Sequence, residues 1–223
     1  MRANPSSLAR MASALFLAVL CTGCAVGQKF RYSPMALDLK ASGTCVIAVS
    51  ALDDRPYVKN SEKTPAYVGT LRGGFGNPWD VMTESGKPLS EDVTDVLCAS
   101  LKAKGYSAKG VTLKPGESVA AAIAALQAAN AKRLMLLTLH EWRSDTMMNT
   151  SVYCNLALSV MDGEGKVLAE SKAQAEEESL GGGGMNPPGH AKQAVPAAFK
   201  VKLEGLLNDP AILEAMIDQD LNP

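Results

Sequence analysis

The sequence predicts a single α/β sandwich domain, a mixed sheet with helices packed on it in the order β-α-β-α-β-β-β-α. Three observations lead there. Two strongly apolar, strand-length runs, residues 45–52 and 134–142, are separated by helical stretches, and helical crossovers impose parallel, right-handed connections. Asp162-Gly163-Glu164-Gly165 has the composition of a hairpin turn, so the strands flanking it run antiparallel. No internal repeat divides residues 44–223, a length that supports one core.

Residues 45–52 are apolar on both faces, as a central strand covered on two sides requires, and Asp53-Asp54-Arg55-Pro56 ends them. Residues 57–88 are punctuated by Gly and Pro and are expected to hold short, irregular strand pieces. Ser90 is expected to cap a helix with Glu91 and Asp92 in its first turn. Val93, Val96, Leu97 and Leu101 form its apolar stripe, and Gly105 its left-handed end. A strand over 106–113 and an alanine-rich helix over 117–130, with Val119, Ile123 and Leu126 at helical spacing, come next.

The run at 134–142 is apolar enough to be central. Val152, Cys154, Leu156, Leu158 and Val160 then alternate with more polar neighbours, giving a half-buried strand that the hairpin turn leads into a more polar one. Residues 181–189 read as a flexible Gly/Pro loop. A helix carrying Val195, Phe199, Leu203 and Leu206 follows. Asp209 and Pro210 are the N-cap and first residue of a last short helix, with Ile212, Leu213, Met216 and Ile217 on its inner face.

The first residues read as an address. Arg2 and Arg10 precede an apolar run over 11–20 that is too short to span a bilayer, and small residues then lead to a cysteine, the order of a secretory leader. Thr22-Gly23-Cys24 resembles a bacterial lipobox, in which the cysteine is acylated and becomes the first residue after cleavage; Cys21 stands where leucine is usual. An ordinary leader with an incidental cysteine is the alternative. The expected organisation is a lipoprotein leader over 1–23, lipidation at Cys24, a tether over 24–43 and a periplasmic domain over 44–223. A flexible tether of that length spans on the order of 25 Å. The membrane, reached through the N-terminal lipid, is the expected partner of this end, since two acyl chains already give stable anchoring. An aspartate after the cysteine marks retention at the inner membrane in bacterial lipoproteins. Ala25 stands there instead, so a periplasm-facing place on the outer membrane is expected.

Without the leader the chain carries 20 basic and 23 acidic side chains, a formal charge of −3, and no concentrated basic patch, which excludes a nucleic-acid binder. Cys45, Cys98 and Cys154 are isolated from one another and from histidine, so zinc and thioredoxin-like spacings are absent. Buried free thiols are expected, with one disulfide as the alternative. No Gly-x-Ser-x-Gly elbow is present, and neither glycine run is followed by the Lys-Ser/Thr of a phosphate loop. His140 and His190 read as structural or solvated. Asp53 and Asp54 point to opposite faces of an extended chain, leaving one of them for Arg55 or a turn amide. Met147 and Met148 near His140 invite a copper reading, but adjacent residues on a strand diverge. Glu176, Glu177 and Glu178 read as a charged edge that blocks strand-to-strand association. No cofactor, metal or catalytic residue is expected. The expected role is a non-enzymatic binding or assembly accessory, with a small-ligand carrier of lipid or metal beside an envelope transporter as the alternative.

Four short motifs bear a resemblance: Asp53 with Arg55-Pro56; Val68-Gly69-Thr70; Arg72 with Gly74-Phe75-Gly76-Asn77-Pro78; and the helix end Leu101-Lys102-Ala103-Lys104-Gly105-Tyr106. In these the chain resembles bacterial lipoproteins of the YajG type. Its element order is also similar to that of the auxiliary lipoproteins of ABC-type lipid transporters, at the level of fold. The resemblance implies a lipidated Cys24 and an envelope location, and it hands over no catalytic residue.

Within residues 67–79, Tyr67, Arg72, Phe75 and Trp79 are candidate contacts for an envelope protein partner. Aromatic and arginine side chains dominate binding hot spots, and a Gly/Pro-rich connection makes little demand on the core. The alternative is that Phe75 and Trp79 fold back as a lid.

Overall fold

A computed structural model describes residues 27–217; the leader and Cys24 lie outside the described residues. The strands are β1 (Lys29–Phe30), β2 (Val46–Asp53), β3 (Tyr67–Arg72), β4 (Pro78–Thr83), β5 (Ser107–Gly110), β6 (Arg133–Thr146), β7 (Asn149–Asp162) and β8 (Val167–Gly182). The helices are α1 (Pro56–Lys59), α2 (Leu89–Ala103), α3 (Val119–Gln127), α4 (Pro187–Leu207) and α5 (Pro210–Ala215). They make the expected single α/β domain with one mixed sheet, ordered β1-β4-β3-β6-β2-β5, with β7 and then β8 added beside β6.

β6 organises the sheet. One side pairs antiparallel with β7 over almost its whole length, while the other is shared. Its first half pairs with β2 in parallel, from Ile47↔Arg133 to Asp53↔Leu139, and its end pairs with β3, from Gly69↔Ser144 to Leu71↔Thr146. β2 is covered on both faces, as its unbroken apolar run requires. Ile47, Val49 and Ala51 join the main core with α2 and α4, and Ala48 and Leu52 pack with Ala122 and Leu126 of α3. Beyond the end of β5, side chains take over its pairing: Thr94 Oγ1 of α2 accepts from the Ala51 amide at 3.0 Å.

Several sequence expectations are corrected. α2 starts at Leu89 after Pro88, and Ser90 is buried inside its first turn, where its carbonyl accepts from Thr94 Oγ1 at 2.8 Å; it is not the cap. Gly105 does close this helix at φ +95°, with the Tyr106 amide reaching back to the Leu101 carbonyl at 3.2 Å. The strand and helix expected over 106–113 and 117–130 are shorter, and Ser118 Oγ caps the latter by accepting from Ala121 N. The 57–88 segment holds a real hairpin, β3–β4. The loop expected over 181–189 is shorter, residues 183–186, because β8 extends through Gly182, and His190 sits in the first turn of α4. Asp209 caps α5 as expected, yet Ile217 faces solvent.

The largest correction concerns the tether. From Lys29 onward the stretch assigned to it is part of the folded body. β1 pairs in parallel with β4, and Phe30, Tyr32, Leu37 and Leu39 are buried. Tyr32 Oη accepts from the Trp142 indole at 2.9 Å and its ring meets Phe199 edge-on. The Asp38 amide donates to Glu204 at 2.6 Å, and the Lys40 amide to Asn208 at 2.8 Å. Phe30 and Tyr32, and Leu37 and Leu39, are each two apart, but Ser33-Pro34 and a five-residue step between the pairs break the alternation, which is why the segment reads as linker.

Candidate functional site

Gly69 lets β3 lie against β6: a Cβ there would stand 2.1 Å from Ser144 Oγ, which gives a packing reason for the glycine of the Val-Gly-Thr motif. This close pairing fixes where the next residues go. Tyr67 is buried, its hydroxyl 2.9 Å from Thr70 Oγ1 and Lys63 over its ring, so it leaves the candidate surface. Arg72 donates through Nε and Nη2 to the two carboxylate oxygens of Asp145, at 2.8 and 2.5 Å. Phe75, at the β3–β4 turn, is fully exposed and Trp79 is 38% exposed, so neither forms a lid.

The sheet register brings two further turns beside this one. Leu71 is level with Thr146, Arg72 with Pro78, Thr146 with Thr150 and Asn149 with Gly182. The β3–β4 turn, the β6–β7 turn and the β8–α4 turn therefore occupy one end of the sheet. Met147 and Met148 form the second turn rather than a strand, and are 47% and 67% exposed; Met185 on the third is fully exposed. None of residues 73–78, 147–149 and 180–189 is Asp, Glu, Lys or Arg, although 20% of the chain is. The opposite end is built differently. There the β7–β8 turn carries Asp162, Glu164 and Lys166, with Asp162 Oδ1 accepting from the Glu164 and Lys166 amides at 3.0 and 2.9 Å. Sequence reasoning read two of the three turns at the uncharged end, within 67–79 and 181–189, and placed candidate contacts on the first alone; the strand pairing that joins them is not written in any one segment.

Charge is concentrated elsewhere. Arg55 and Asp53 are both fully withdrawn from solvent. Arg55 donates through Nε and Nη2 to the two Asp53 oxygens, each at 2.7 Å, and to the carbonyls of Tyr67 (2.6 Å), Pro65 (3.0 Å) and Trp142 (3.3 Å). Burial works against the Arg55 cation, and the hydrogen bond and charge of Asp53 more than offset it, holding its pKa above the ordinary value. Asp54 points the other way, as expected, to Lys59 at 2.6 Å and His140 Nδ1 at 3.0 Å. Partial burial raises its pKa, but the hydrogen bonds from Lys59 and His140 prevail and leave it below 3.8. Beside them Tyr57 Oη donates to Glu141 at 2.8 Å, and burial first, then Glu141, pushes this phenol well above its usual range. An open groove of about 480 Å³ runs past Asp54 and His140 along Asn155, Lys172 and Gln174.

Cys98 and Cys154 are buried free thiols and Cys45 is buried, its Sγ 3.9 Å from the Met216 carbonyl; burial raises Cys154 to about 11. Among the described residues no group of three His, Cys, Asp or Glu side chains could hold a metal ion, and no helix is long and apolar enough to cross a membrane.

No protein-family model and no curated protein matches the chain. Solved structures do resemble it in fold. A DUF330 protein of Xanthomonas campestris is 11% identical, with a TM-score of 0.44, over 81% of this chain and 87% of that one. The PelC dodecamer of Paraburkholderia phytofirmans is 13% identical, with a TM-score of 0.41, over 82% and 96%. Lipoprotein GNA1162 of Neisseria meningitidis is 14% identical, with a TM-score of 0.29, over 61% and 84%. At such identities, and with TM-scores under 0.5, no activity, partner or assembly is inferred from them. A lipoprotein stands among these likenesses, and they do not single out the YajG type.

Proposed function

We propose that this chain is a bacterial envelope lipoprotein, anchored through Cys24 at the outer membrane and facing the periplasm, that works as a non-catalytic binding or assembly accessory. The observation that carries the reading is the leader order ending in Thr22-Gly23-Cys24. The non-catalytic part is supported by where the chemistry-bearing side chains are committed. Asp53 serves Arg55, His140 serves Asp54, and His190 Nε2 lies 3.0 Å from the Leu180 carbonyl. The binding part is supported by the uncharged end of the sheet, where Phe75 and Trp79 stay exposed beside Arg72. Replacing Cys24 with Ser tests the anchor. The variant is expected to move to the soluble periplasmic fraction or remain as uncleaved precursor, and an unacylated wild-type N-terminus by intact-mass measurement overturns it.

One observation favours a carrier as the second reading. A mostly apolar open groove of about 380 Å³ lies between Lys29, Pro65, Met82 and Pro88, within the size range of small-ligand sites. Saturable binding of a fluorescent fatty acid, lost in Met82→Lys, would favour it.

A further inference from the structure

We propose that the uncharged end of the sheet seats on the membrane itself, with Phe75, Met147, Met148 and Met185 entering the interfacial layer and Trp79 at headgroup level. This rests on the Cys24 anchor of the reading above and names the partner of that same end: the lipid surface that holds the acyl chains.

Three observations converge. The first is composition. Three separate turns meet at one end, each puts a large apolar side chain into solvent, and none carries a charge. Exposed apolar residues gathered at one place, rather than scattered, mark a contact surface. The first charges behind them on β3, β4 and β6 are already neutralised in pairs, Arg72 with Asp145 and Lys63 with Asp80. A lipid interface accepts such a surface: it takes phenylalanine and methionine side chains and favours tryptophan at its polar boundary.

The second observation is direction. β4 runs away from this end, and β1, parallel to it, does the same, so the chain enters the domain from the side of the uncharged turns. The third is reach. Lys29 is level with Met82, and the four residues back to Pro78 at the edge of that end span about 14 Å. Cys24 lies five positions before Lys29, a span of at most about 18 Å. The lipid therefore reaches the plane of the turns without peeling β1 from the sheet. Because residues 29–43 are docked on the domain, almost no slack is left to hold it clear of the bilayer. The charged Asp162–Lys166 turn then faces the periplasm from the far end of β7.

The chain's two tryptophans supply the test, because Trp142 is fully buried while Trp79 sits at the proposed interface. The acylated full chain is reconstituted into vesicles of phosphatidylethanolamine and phosphatidylglycerol with bromine on the acyl chains, and emission is compared with that in unbrominated vesicles. The Trp79 share of the emission is expected to be quenched, the quenching to vanish in Trp79→Phe, and Phe75→Ser with Met148→Ser to cut it at least twofold while the protein still floats with the vesicles. Acylation of Cys24 without quenching overturns the seating and leaves the anchor standing. That is the outcome if a second copy or a protein partner covers this end. Quenching in a chain whose Cys24 proves unacylated keeps the seating and overturns the anchor, and absence of both overturns both.

Discussion

Arg55 and Phe75 lie on either side of one crossover and reverse the common placement of their kinds. The guanidinium is wholly buried and the phenyl ring wholly exposed. Arginine is almost never fully buried unless paired. Here the pairing is complete: one carboxylate and three carbonyls tie the exit of β2, the start of β3 and the middle of β6 to a single side chain. Phe75 has no such role. It sits on a turn closed by its own backbone, Gly73 N to Asn77 O at 2.9 Å and Gly76 N to Gly73 O at 2.8 Å, and the fold asks nothing of its ring. The buried charge belongs to architecture; the exposed ring is free to serve a contact.

That contrast breaks most easily at the buried member. Arg55→Met leaves Asp53 without its counter-charge in a site sealed from water, and a loss of about 3–5 kcal/mol is expected in urea unfolding. Adding Asp53→Asn should return part of it; a single-variant loss below about 1 kcal/mol would show that the ion pair does not hold the crossover. Next in size is Tyr32→Phe, which strips the Trp142 indole of its acceptor. It should cost about 1–3 kcal/mol, and an unchanged midpoint would return residues 29–43 to the status of a tether.

A smaller, pH-dependent effect is expected at Asp54. Its folded pKa lies below 3.8, so its pairing stabilises the fold above that value and the contribution is lost as pH falls through the depressed folded value. Lys59→Met should therefore cost less than about 1 kcal/mol near neutral pH, with the difference from wild type closing in acid. A difference that widens in acid would contradict the sign. The smallest change is expected at the exposed member: Phe75→Ser should stay within about 0.5 kcal/mol of wild type. A larger loss would mean that the turn is part of the core.

The elements built on strong periodicity were legible in the sequence. β2 and β6 show as apolar runs, α2 and α4 as stripes, and α5 through its Asp209-Pro210 start. β6 was read four residues short because Ser144 and Thr146 fill its inward positions, so the apolar alternation fades while the strand continues. That shortfall hid the Met147-Met148 turn. Tyr67 reads as a surface aromatic because its cover comes from the irregular stretch before β3: Tyr57 packs edge-on against its ring from α1, and Lys63 lies over it. Of the candidate site, Phe75 and Trp79 could be named from local composition. Their gathering with Met147, Met148 and Met185 required knowing which strands pair.

The docking of residues 29–43 bears on how the chain reaches its final state. Asp38 and Lys40 bond to Glu204 and Asn208, among the most sequence-distant contacts in the described chain, and Tyr32 waits on Phe199 of the same helix. Closing so long a loop early costs entropy that no local contact returns, so this step belongs late in folding. Until α4 forms, Tyr32 lacks the ring it packs against and the Asp38 and Lys40 amides lack their acceptors. A chain delivered N-terminus first would expose this segment from the beginning and complete its docking only when nearly all of the rest had arrived.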